Sequence, residues 1–250
     1  MKRKLIAMAV AVFGFATGAQ ADEMIALKAG YMMLTPSGTF SAPLNNIGTS
    51  LDMKKDLNLK NSTQAFGEVT INLGDSSFLI GFTPMSYSGS STLTGAINFN
   101  GQAYTAGTAT TSEFKADIVD VGYTYYLINM DDLPSRLQLG FETAVKIISA
   151  KSSITGGGIT SNKNVTVPIP TVGLRGRVAL ADFIGVSARL GYLGYSGNSF
   201  TDADAQIEFS PVPTLGIFGG YRYINLKLNA TGLNADMKLK GPFAGAFFRF

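Results

Sequence analysis

The residues able to do chemistry in this 250-residue chain are its charged side chains, because it contains no histidine and no cysteine. Their absence removes Ser–His and Asp–His catalysis, together with the usual zinc and haem ligand sets. Carboxylate and guanidinium chemistry remains. Glu142, Arg175, Arg177, Arg189, Glu208 and Arg222 all sit in stretches whose alternate positions are mainly apolar. Arginine and carboxylate form bidentate hydrogen bonds, and buried charges persist only when paired. The densest series is Asp202-x-Asp204-x-Gln206-x-Glu208, alternating with Ala203, Ala205, Ile207 and Phe209. Such oxygens could hold calcium at a loop end. The favoured reading pairs the carboxylates with Arg222 and Arg189 on neighbouring strands, and no metal site or cofactor is assigned. Gly156-Gly-Gly-Ile-Thr-Ser-Asn-Lys163 superficially resembles a phosphate loop. It lacks that motif's spacing and its strand-then-helix setting, so it is read as a flexible loop.

These charges are positioned by period-2 segments, in which alternate side chains share a face. Leu137, Leu139, Phe141, Thr143, Val145 and Ile147 alternate with Arg136, Gln138, Gly140, Glu142, Ala144 and Lys146. Similar patterns begin at 24, 63 and 78, end at 128, and recur after 172, 184, 202, 215 and 241. Residues 78–128 read as one long hairpin projecting into water, with Asn100-Gly101 as its type I′ tip. Short turns at 74–77, 129–135, 180–183 and 210–213 alternate with longer loops at 35–62, 151–164, 196–201 and 229–235. The resulting expectation is an all-β chain: one antiparallel up-and-down barrel of about ten strands, eight and twelve being the neighbouring even counts. Twenty-nine glycines and 17 phenylalanines with little charge suit that class.

Residues 1–21 read as a signal peptide. Lys2-Arg3-Lys4 is basic, Leu5 to Phe15 apolar, and Ala19-Gln20-Ala21 a small-x-small cleavage site. Its apolar stretch is shorter than the roughly 20 residues of a spanning helix. Removing it takes three basic and no acidic residues from a chain of net charge +3, leaving 22–250 formally neutral. The basic pI therefore argues for no nucleic-acid partner.

The other end is Gly241-Pro-Phe-Ala-Gly-Ala-Phe-Phe-Arg-Phe250, a strand with an apolar stripe on one face and Arg249 on the other. It resembles the closing strand of Gram-negative outer-membrane β-barrels, whose signal is a polar residue, Gly, two free positions, then aromatic-x-aromatic. Gly245, Phe248 and Phe250 match, and Ala244 departs where a polar residue is usual. The resemblance implies a transmembrane, porin-like barrel over 22–250 in the outer membrane. It also implies recognition of the C-terminal strand by the barrel-assembly machinery, and lipid as the surrounding partner. Barrel enzymes of that kind use histidine with serine or aspartate, so the resemblance does not extend to their catalysis.

In a membrane barrel apolar faces meet lipid and polar faces line the lumen. The expected lumen holds Lys28, Glu68, Asp120, Arg136, Glu142, Lys146, Arg175, Arg177, Arg189, Glu208, Arg222 and Arg249. Loop centres place Glu142, Arg175, Arg189 and Glu208 in one row on successive strands. Three functions fit. The first is a non-enzymatic barrel with a filled polar interior and a structural or surface-interaction role, its 35–62 loop and 85–113 hairpin exposed. The second is a narrow channel whose basic lumen favours small anions. The third is a soluble periplasmic barrel binding an apolar ligand. No particular small-molecule ligand is legible.

Overall fold

The computed structural model describes residues 24–42, 48–130, 136–212, 214–230 and 233–250; the expected leader lies outside the described residues. Ten long strands form the wall: β1 (Ile25–Ser41), β3 (Ser62–Leu73), β4 (Ser76–Thr92), β7 (Ala109–Met130), β8 (Leu137–Gly156), β9 (Ile159–Ala181), β10 (Ile184–Tyr195), β11 (Asn198–Val212), β12 (Leu215–Ala230) and β13 (Leu233–Arg249). Three short strands complete the set: β2 (Leu51–Asp52), β5 (Ile97–Phe99) and β6 (Gln102–Tyr104). Every wall strand pairs antiparallel with its sequence neighbour in the wall, and β13 returns to β1 to close the ring. Ile25 and Phe250 exchange backbone hydrogen bonds of 2.8 and 2.9 Å. Closure leaves no free sheet edge at that rim, the condition for placing strands in lipid.

Several stretches expected as loops are tight turns on long strands. Gly157 and Gly158 (φ 57° and 77°) turn β8 into β9, and Ser196 and Gly197 (φ 48° and 79°) turn β10 into β11. Two residues with positive φ make the turn whose twist matches a hairpin. Polar composition at 151–164 therefore marks solvated strand, not loop.

Outward-facing residues change character along each strand. On β7 the outward series Val119, Val121, Tyr123, Tyr125 and Leu127 is apolar, while Glu113, Lys115 and Asp117, further from the short-turn rim, are charged. Exposed Phe78, Ile80, Phe82, Phe141, Val172, Leu174, Ile207 and Ile217 continue the apolar band around the ring. It is a band suited to hydrocarbon, with Phe78–Tyr123 and Phe248–Phe250 ring contacts at its short-turn edge.

Candidate functional site

Within the apolar band the lumen is filled by seven basic and six acidic side chains joined in ion pairs. Arg222 on β12 donates through Nε to Asp202 Oδ1 (2.8 Å) and through Nη2 to Oδ2 (2.7 Å). Lys146 on β8 reaches Asp202 at 2.9 Å and also contacts Asp120. Arg189 on β10 binds Asp204 at 3.1 Å, Asp120 at 3.3 Å and Glu68 at 3.9 Å. Arg175 lies 3.7 Å from both Glu68 and Glu142. Nearer the short-turn rim, Glu208 collects Lys28 (3.5 Å), Arg177 (3.1 Å) and Arg249.

These pairs cross the lumen. β3 and β10 are diametrically opposed in the ten-strand ring, so Glu68–Arg189 spans its diameter. Arg222 also reaches Thr83 on β4 at 3.3 Å. Phe66, Phe218, Phe243 and Phe247 pack edge-on and stacked beside the charges, with Arg249 over the Phe247 ring at 4.1 Å. Gly245 makes room for them: a Cβ there would lie 2.2 Å from the Ala29 carbonyl oxygen and 2.7 Å from the Phe218 ring. A cavity of about 50 Å³ remains, lined by Asp120 and Arg175, whose Oδ1 and Nη1 are buried without hydrogen-bond partners. The space and the two polar atoms suit a few ordered waters.

Beyond the apolar band the polarity of the wall reverses. Inward positions on β7 change from Asp120 to Ile118, Ala116 and Phe114 just where outward positions change from Val119 to Asp117 and Lys115. Tyr87, Ile154, Phe200, Ile224, Met237 and Leu239 extend the buried apolar lining. This part of the cylinder is coated with charge and filled with apolar groups, as a water-soluble barrel would be. A polar interior was the expectation, and it holds only inside the apolar band. Once the outside of the wall faces water, an apolar inside is the arrangement that removes apolar surface from solvent.

The loop and hairpin expected to project are folded down as a lid. Leu51, Met53, Leu57 and Leu59 are at most 1% exposed, and Phe99 is fully buried against Phe40, their centroids 6.2 Å apart. Asp52 organises the loop, accepting from the Lys54 and Lys55 amides at 2.8 Å each. Asn100 (φ 50°) and Gly101 (φ 80°) form the expected hairpin tip, but Asn100 Nδ2 bonds the Asn162 carbonyl at 3.0 Å and Ser161 Oγ bonds the Phe99 carbonyl at 3.1 Å. Leu93, Ile97 and Tyr104 are buried with it, so the apolar alternation concealed in the polar arms draws the tip inward. Between lid and charge network lies an apolar cavity of about 60 Å³.

No family model matches the chain, and no curated protein matches it in sequence. Among solved structures it is similar to the outer membrane protease OmpT from Escherichia coli, with a TM-score of 0.56 at 12% identity over 94% of this chain and 99% of that one. It is also similar to the attachment invasion locus protein Ail of Yersinia pestis, with a TM-score of 0.42 at 14% identity, covering 90% of this chain and 97% of that one. The chain has the fold of a Gram-negative outer-membrane β-barrel.

In this barrel Arg175 and Arg189 stand directly opposite each other on β9 and β10. Glu142 faces Gly173, two residues from the Arg175 level, and still reaches Arg175. Glu208 does not complete the row: Arg189 faces Asp204, and Glu208 lies opposite Gly185 near the rim. The tight turn at Ser196-Gly197 is centred before the middle of the polar stretch, which moves the partner by four residues. Arg177 and Arg222 enter the network, whereas Arg136 is exposed at the rim of a basin of about 320 Å³ shared with Arg177 and Arg249. Phe248 faces outward, and Gly245 faces inward opposite Gly30. Asp202 and Asp204 were absent from the expected lumen set, although their alternation with Ala203 and Ala205 places them on the Glu208 face. Among the described residues no group of three or more His, Cys, Asp or Glu is placed to hold a metal ion.

Proposed function

We propose that the chain is a closed, non-enzymatic outer-membrane barrel whose task is carried out at its lidded, cell-surface end. The observation that carries this reading is the Glu68–Arg189 contact across the full diameter, supported by Lys146–Asp202 and Arg222–Thr83 on other chords. Charges bonded across a lumen brace the wall and leave little room for a permeant ion. The lipid-facing apolar band supports residence in the bilayer over the soluble periplasmic alternative. The absence of histidine removes the usual general base of barrel hydrolases. The C-terminal Gly245, Phe248 and Phe250 serve assembly in this reading, as a signal for insertion.

Planar-bilayer recording tests the proposal. Purified protein is expected to insert without discrete conductance steps. Steps that favour anions and shrink in Arg175→Ala and Arg189→Ala would establish the basic channel instead.

A further inference from the structure

The wall has a notch beside the apolar cavity. The β8–β9 ladder runs to Gly156↔Ile159, but the β9–β10 ladder ends at Tyr192↔Val172. The β10–β11 hairpin turns back at Ser196-Gly197, so residues 159–171 of β9 rise above it with strand pairing on one edge only, among the described residues. Pro168 and Pro170 lie on this stretch; proline lacks an N–H and belongs on an unpaired edge. Across the notch stands β12, which continues beyond its last pair with β11 at Lys227. Val167 and Ile169 of β9, Phe200 of β11 and Leu226 of β12 line the cavity behind it. Tyr192, half exposed on the outer face, stands at the foot of the notch.

The lining is apolar apart from Ser152, whose hydroxyl bonds the Lys163 carbonyl at 3.5 Å, and Lys163 itself. Lys163 faces the cavity from β9 and makes no ion pair or hydrogen bond through its ammonium among the described residues. Elsewhere inside this barrel every basic side chain has a carboxylate partner. An unpaired ammonium beside an apolar chamber, next to a break in the strand pairing of the wall, is complementary to an alkyl chain with an anionic head. The cavity's 60 Å³ takes only a few methylene-sized groups, so the rest of a longer chain would lie in the notch.

We propose that the surface half of the barrel is a binding site for single-chain anionic amphiphiles, admitted through the notch above the β10–β11 hairpin, with the chain against Ile169 and Phe200 and the head at Lys163. The site does not depend on whether the lumen below conducts, so conductance bears on the previous reading and not on this one.

The chain has no tryptophan, which makes an introduced one an unambiguous reporter. Phe200→Trp in the cavity lining and Phe78→Trp on the outer apolar face, each shown to be folded by heat-shifted gel mobility, are titrated with 8-bromooctanoate and with 8-bromooctanol. Saturable quenching of Phe200→Trp, well above the quenching of Phe78→Trp, is expected. Adding Lys163→Gln should weaken the carboxylate about tenfold and leave the alcohol unchanged, and adding Ala150→Phe should remove both. Loading only from vesicles carrying the probe identifies the bilayer as the source, and loading of amphipol-held protein from water identifies free amphiphile. Equal, non-saturating quenching at both tryptophans, or saturation indifferent to Lys163→Gln and Ala150→Phe, would overturn the proposal.

Discussion

Arg222 binds Asp202, not the Asp204 that stands directly across the β11–β12 ladder from it. Asp204 also faces Arg189 across the β10–β11 ladder and is taken by that arginine, 3.1 Å away. Arg222 therefore reaches diagonally to Asp202, which Lys146 also holds from across the lumen. Two cations on one carboxylate make the partners unequal. Asp202→Asn takes from Arg222 the carboxylate it binds bidentately and leaves Lys146 with Asp120 alone, whereas Arg222→Met leaves Asp202 with Lys146. Breaking a buried pair from one side costs about 3–5 kcal/mol. Asp202→Asn is expected at or above that range and Arg222→Met below it, read by denaturant unfolding in vesicles. The reverse order would mean that Lys146 carries no share of the Asp202 charge.

The inversion of the wall predicts opposite tolerances a few residues apart. Val121→Arg introduces a charge into the lipid band and should cost about 2–4 kcal/mol near the midplane, less toward its edge. Asp117→Arg, two outward positions further up β7, should change stability by less than about 0.5 kcal/mol, as water-facing substitutions do. Inside the wall the sense reverses: Phe114→Asp places an unpaired carboxylate among Tyr87 and Phe40 rings and should prevent folding of the surface half. The three variants are compared by heat-shifted gel mobility and unfolding midpoint.

The ring and its even strand number were legible because alternation and turn spacing are local properties. Arg177 and Arg222 were legible for the same reason: each follows from the parity of its own strand. Placing Glu208 beside Arg189 required knowing where a turn is centred, and one two-residue turn moved its partner to Asp204. The lid was hidden for a different reason. Leu51, Met53, Leu57 and Leu59 are spaced like a surface piece, and only the cavity beneath them, assembled from β7, β8, β12 and β13, gives them somewhere to go. The inverted upper wall was also concealed, because alternation looks the same whichever face meets solvent.

Gly89 on β4 is where the lid loop meets the wall. A Cβ at this position would lie 2.2 Å from the Leu57 carbonyl oxygen and 2.4 Å from that of Asn58, both backbone atoms that cannot rotate away. Lys60 N bonds the Ser88 carbonyl at 3.0 Å, and Ser91 Oγ bonds the Asp56 carbonyl, so the loop is fastened on both sides of the glycine. Gly89→Val should lift residues 53–60 off the strand while leaving the ten-strand wall closed. The expected sign is protease cleavage within 53–60 in intact, heat-modifiable protein. Protection equal to the parent's would mean that the loop is held mainly by its leucines and shifts as a unit.

The lid should also open with alkali. Tyr104 donates its hydroxyl to the Ile154 carbonyl at 2.9 Å, which fastens the β5–β6 hairpin to the end of β8. Burial pushes its pKa above the ordinary value of 10, partly offset by a hydrogen bond from the Ser161 backbone. Only the protonated phenol can donate to a carbonyl. The closed lid thus holds this proton more tightly than the open one. Its contribution is complete below the open-state value near 10 and falls as pH rises through the elevated closed-state value. Lid proteolysis or phenolate absorbance should report opening in that window. Tyr104→Phe should lose roughly 1 kcal/mol of lid stability at neutral pH, through the unmade bond, and abolish the alkaline step. An alkaline transition unchanged in Tyr104→Phe would assign it to another tyrosine or to the wall itself.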